Sequence, residues 1–116
     1  MNNVARDPLF EALFTVGETA TVSSAEDGRG FGLAGLALPA DLTSTTIGLQ
    51  ISVDDGDTWL DVYDSTGALL SFTVAPGIYV ALPIYALPGI PGQVRLTLGS
   101  AEADAREILA YFRKLS

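Results

Sequence analysis

Five aspartates lie within eleven residues, Asp54, Asp55, Asp57, Asp61 and Asp64, and this is the densest set of chemistry-bearing side chains in the chain. Two chemistries suit such a set. Ca²⁺ takes about six to eight oxygen ligands, but the spacing here is not that of an EF-hand loop and no bidentate Glu stands at the right offset. Glycoside hydrolysis needs two carboxyl groups, one held in apolar surroundings to raise its pKa, whereas these sit in turn sequence. The chain also has no His and no Cys. That removes the usual general base, the commonest metal ligand and the Ser-His and Cys-His nucleophile systems. We therefore expect no enzyme, no metal and no cofactor, and read the acids as turn formers and a solvated face.

The turn chemistry is explicit in Ser52-Val53-Asp54-Asp55-Gly56-Asp57-Thr58-Trp59. Gly56 can take positive φ, and Asp54 and Asp55 can accept backbone N–H groups that a tight turn leaves unpaired. Thr45–Val53 alternates before it, with Ile47, Leu49, Ile51 and Val53 on one face, and Trp59-Leu60-Asp61-Val62-Tyr63 is extended after it. This pattern predicts a hairpin. The octet resembles the Asp-box, a structural hairpin motif found on unrelated β-folds, in which Ser52, Asp54, Gly56, Thr58 and Trp59 would tie the turn. A propeller repeats its blade motif at roughly 40–50 residues; one copy in 116 residues excludes that fold.

Turn signals recur about every 8–12 residues, which predicts an all-β antiparallel β-sandwich, jelly-roll-like, of eight to nine short strands. Residues 1–9 are polar and read as an N-terminal arm; 10–116 form a single sandwich domain. Strand candidates are Phe10–Val16, Glu18–Ser24, Phe31–Leu38, the hairpin, Leu70–Val74 with Leu70, Phe72 and Val74 inward, Ile78–Leu82 and Val94–Leu98. The Gly and Ala residues of Phe31–Leu38 suit a strand that a neighbouring backbone approaches closely. At the C-terminus, Ser100–Glu107 is helix-friendly, with Ser100 a candidate N-cap. Read with period two, Ile108, Ala110 and Phe112 instead share one face of a strand.

The net charge of −8 and only six dispersed Lys and Arg argue against nucleic acid and anionic membranes. Met1–Asp7 lacks an apolar core, so no signal peptide is expected. The apolar region Ala68–Ile90 is broken by Pro76, Pro83 and Pro88, which excludes a membrane-spanning helix there. Between Asp64 and Arg95 there is no acidic or basic residue. Within that span Leu82, Pro83, Ile84, Tyr85, Leu87, Pro88 and Ile90 crowd apolar side chains into a loop. Such a patch marks a contact site with Tyr85 as anchor, or a lid in which Ile84, Leu87 and Ile90 fold down over the sandwich end. Trp59 reads as hairpin core, or with Tyr79 and Tyr111 as a sugar-stacking platform.

From about Phe31 to Leu115 the chain resembles a family of small tailed-bacteriophage virion proteins. The segments that carry the likeness are Leu36–Pro39, Gln50–Gly67, Phe72–Leu82, Pro83–Gly92, Val94–Ser100 and Arg106–Leu115. Members often read Tyr-Val-Arg-Leu-Arg-Ser-Gly-Thr where this chain has Gln93–Ser100. The resemblance implies a jelly-roll-like sandwich on a phage particle, supplies no catalytic residues and selects strand over helix at the C-terminus. The expected function is that of a non-enzymatic virion structural protein, a capsid decoration or cement protein. Its partners would be the major capsid protein or another virion protein and further copies of itself, a trimer favoured, on the capsid exterior. The alternatives are a carbohydrate-binding module using aromatics around Trp59 and Tyr63 to hold a surface glycan, or a head–tail connector or tail accessory protein.

Overall fold

The structure is a computed structural model, and it describes residues 9–83 and 87–115. Among the described residues there are nine strands and no helix: β1 Leu9–Val16, β2 Val22–Asp27, β3 Phe31–Ala37, β4 Thr46–Ser52, β5 Leu60–Asp61, β6 Ser71–Thr73, β7 Tyr79–Ala81, β8 Gln93–Leu98 and β9 Arg106–Lys114. All strand pairs are antiparallel, in the order β5-β4-β8-β2-β1-β9-β3-β7, with β6 also on β4. β1 and β2 share a single register pair, Val16 with Ser23. The sheet folds there, so the β1-β9-β3-β7 half packs across from the β2-β8-β4 half as a curled sandwich.

Period-two alternation decides what lies between the halves. From one half, Phe14, Val16, Leu36, Ile108 and Ala110 point inward; from the other, Ile47, Leu49, Ile51, Val94 and Leu96 do. Phe112 joins them, packed against Phe14 and edge-on to Phe31, which in turn meets Phe10. Burial of a Leu, Ile or Phe stabilises by roughly 1.5–3 kcal/mol each, so these residues hold the fold together.

The C-terminal segment is strand, the reading chosen over helix: β9 pairs along its length with β1 and again with β3. A central strand satisfies its backbone groups on both sides, and Ile108, Ala110 and Phe112 face the core as period two requires. Leu9 belongs to β1 rather than to an arm, since it opposes Arg113. Thr19 to Thr21 form no strand. Ala20 N–H donates to the Gly17 carbonyl and Thr19 takes φ 64°, so β2 starts at Val22 and continues to Asp27 along β8.

The close approach expected along β3 is present. A Cβ at Gly32 would lie 2.6 Å from the Pro88 carbonyl oxygen, and one at Gly35 would lie 2.0 Å from the Tyr79 hydroxyl.

Candidate functional site

The Asp-box hairpin is built as its residue types dictate. Ser52, fully buried, donates through Oγ to Asp54 Oδ1 at 2.8 Å and accepts the Gly56 N–H at 2.8 Å. Asp54 also accepts the Thr58 N–H at 2.9 Å and the Thr58 hydroxyl. Those Thr58 hydrogen bonds, with the one from Ser52, hold the Asp54 carboxyl below its ordinary pKa. Gly56 takes φ 92°. Asp55 contributes differently from the expectation: its backbone sits at φ 59° in the left-handed region, which Asp tolerates better than most residues. Val53 leaves the apolar face of β4 and is 66% exposed, because the strand ends at Ser52 where the turn begins. β5 is correspondingly short, two residues.

Trp59 is half-buried at the hairpin's end, and the Arg95 guanidinium lies over its ring, 4.2 Å from the centroid. Arg95 Nε donates to Gln50 Oε1 at 2.8 Å, and Gln50 Nε2 donates to Asp61 Oδ1 at 2.9 Å. A continuous polar relay thus crosses the outer face of β8, β4 and β5. Tyr79 and Tyr111 are elsewhere. They meet edge-to-face, 5.9 Å apart, on the outer face of the other half, Tyr111 opposite Gly35 and Tyr79 opposite Ala37. The sandwich therefore separates Trp59 from the two tyrosines, and no single platform of all three exists.

The aspartates do not converge. Asp64 accepts the Thr66 hydroxyl and N–H and the Ala68 N–H, closing a second turn in which Gly67 takes φ 87°. The Thr66 hydroxyl and these backbone donors keep its carboxyl below the ordinary range. Asp54 and Asp61 are engaged as described above. Among the described residues no three acidic side chains gather into a cation site.

The apolar loop divides. Leu82, Leu87 and Ile90 are buried, at 7, 6 and 4% exposure, and belong to this chain's own core. The Leu33 N–H donates to the Leu87 carbonyl and the Ile90 N–H to the Phe31 carbonyl, so the loop is stitched to β3 and these three side chains act as a lid rather than as surface anchors. Pro83 and Pro88 are exposed. Ile84 and Tyr85 lie outside the described residues.

One stretch of exposed apolar surface lies on the outer face of β1-β9-β3-β7. One cross-strand row reads Leu13, Leu109, Ala37, Tyr79; the next reads Glu11, Tyr111, Gly35, Ala81. Leu13 and Tyr79 are 43 and 52% exposed. Partial burial raises the Tyr111 phenol above its ordinary pKa, and the adjacent Glu11 carboxylate adds to this. Nothing in the composition marked this row: its members come from four strands, and only the register aligns them.

One highly connected, buried polar group among the described residues has no counterpart among the expected site residues. Glu102 is 1% exposed, yet its carboxylate accepts from Thr43 N–H and hydroxyl, Ser44 N–H and hydroxyl, and Arg106 Nε at 3.0 Å. Arg106, itself buried, reaches Asp41 at 3.2 Å. Burial pushes the Glu102 carboxyl up, but the Thr43, Ser44 and Arg106 donors outweigh it and bring the pKa from 4.5 down to about 2. The Glu102–Arg106 spacing of four was legible, but it reads as a helical pair. Here it instead pins the loop before β9 to the loop before β4. It is a structural anchor.

Comparison with protein-family models, curated proteins and solved structures returned no match.

Proposed function

We propose that this chain is a non-enzymatic structural protein of a tailed-phage virion, a decoration or cement protein seated on the outer capsid. The observation that carries the reading is the apolar row Leu13–Leu109–Ala37–Tyr79 displayed on a β-sheet face. A contiguous exposed apolar patch bordered by polar residues marks a protein contact surface. The sheet supplies it without loop ordering, which keeps the entropic cost of association low. The sandwich is closed by a buried core and tied turns, as suits a part that must remain rigid on a particle. Leu82, Leu87 and Ile90 of the 82–90 loop are buried, and the contact surface proposed here is the sheet face. Interfaces of roughly 800 Å² per partner suffice for one specific site, and repetition over a shell multiplies the effect.

Mass spectrometry of purified particles with copy numbers tests this. A copy number in simple ratio to the major capsid protein is expected, and Leu13→Ser with Tyr79→Ser should lower particle occupancy at unchanged Tm. A few copies per particle would place the protein at the head–tail connector or tail. Absence from the particle would refute the reading.

A further inference from the structure

The outer face of β8, β4, β5 and β6, opposite in the sandwich from the apolar row, carries a second feature. Gly48 pairs with Thr97 on one side and Ser71 on the other, and two residues along Gln50 pairs with Arg95 and Asp61. These two cross-strand rows lie about 7 Å apart. A hollow of about 160 Å³ opens over the first, with Thr46, Ser71 and Thr97 offering hydroxyl groups, Asp61 at its edge and Leu69 on its wall. Its floor is a glycine: a Cβ at Gly48 would lie 2.7 Å from the Thr97 hydroxyl. Drug-sized ligands occupy pockets of roughly 300 Å³ or more, so this one admits a small ring.

Tyr63 supplies an aromatic side chain beside it. Tyr63 and Leu69 form an antiparallel bridge, which turns both side chains to the same side of the sheet. They are 57 and 52% exposed. The adjoining relay is fixed in orientation. Arg95 is held between the Trp59 ring and Gln50, and among the described residues only its Nε is used, on Gln50, so the other guanidinium nitrogens can still donate. Asp61 accepts from Gln50 through Oδ1, and among the described residues its other oxygen has no hydrogen-bond partner.

We propose that this hollow and the relay beside it bind a neutral saccharide. Adjacent hydroxyl groups of a pyranose suit a fixed carboxylate and a fixed guanidinium, each of which meets two groups at once. The apolar face of the sugar ring packs on Tyr63 and Leu69, and Thr97 and Ser71 reach the ring in the hollow. Trp59 is a positioning residue that acts through Arg95. The Asp61 carboxylate in the hollow's lining disfavours a sialylated or uronate glycan by like-charge repulsion. This site is separate from the apolar row, and its test does not depend on where the protein is carried.

The test is a glycan array of neutral and acidic oligosaccharides probed with the full chain, followed by NMR titration with the best neutral binder. Capture of neutral glycans is expected, reduced at least tenfold by Asp61→Ala and by Tyr63→Ala, both exposed positions at which Tm should hold. Gly48→Ala should also abolish capture by filling the floor. The proposal is overturned by no capture and no NMR shifts with the wild type, by capture of acidic glycans alone, or by undiminished capture with folded Asp61→Ala and Tyr63→Ala.

Discussion

Protonating or replacing Glu102 should release one of the larger single increments of this fold's stability. The carboxyl has a pKa of about 2 in the folded chain against an ordinary 4.5. At about 1.4 kcal/mol per unit, that difference corresponds to roughly 3 kcal/mol. Between these two values the unfolded chain binds the proton and the folded chain does not, so stability rises with pH. The contribution is fully present above pH 4.5 and is lost as the pH falls toward 2. Urea titrations at pH 7, 5, 4, 3 and 2.5, run on wild type and Glu102→Gln, read this directly. Glu102→Gln should lose roughly 2–4 kcal/mol at pH 7, because an amide turns donors toward Thr43 and Ser44 N–H groups and leaves buried Arg106 with only Asp41. Against a total of about 5–15 kcal/mol for a domain of this kind, that is a large fraction. The two proteins should converge as the pH approaches 2.5. Parallel pH profiles, with a constant gap between them, would show that Glu102 is not held as an anion and would refute the reasoning.

Two further outcomes follow from the geometry. Ser52→Ala should cost roughly 1–3 kcal/mol in chemical denaturation, since it strips the buried partner of the Gly56 N–H and frees Asp54; an unchanged midpoint would mean that the Asp-box turn does not need its serine. Gly92→Ala should destabilise more than Gly35→Ala: the new Cβ at Gly92 would meet the Ser52 backbone oxygen at 2.2 Å, whereas at Gly35 the nearest atoms are the tip of exposed Tyr79, which can swing away, and the backbone oxygen it meets, that of Val80, lies farther off at 2.9 Å. Thermal unfolding ranks the two, with near-UV circular dichroism reporting loss of the Tyr79–Tyr111 contact in the second; equal losses would contradict the assigned packing.

The local features were readable because they are written in neighbouring residues. Period-two alternation gave β4, β8 and the inward set Ile108, Ala110 and Phe112. Ser52, Asp54, Gly56 and Thr58 carry their own turn, since each bond closes within four residues. What the chain alone left open was which of two consistent local patterns wins. Ser100–Glu107 favours a helix by propensity, yet Glu102 is drawn instead into the unpaired N–H groups of Thr43 and Ser44, fifty-eight or more residues away. In a loop sequence Leu87 and Ile90 read equally as surface anchors or as a lid; only the core formed by strands distant in the chain decides for burial. The same holds for both candidate binding faces. Leu13, Leu109, Ala37 and Tyr79, or Gly48, Gln50, Asp61 and Arg95, become neighbours through strand register alone, and register is set by long-range pairing that no local run of residues contains.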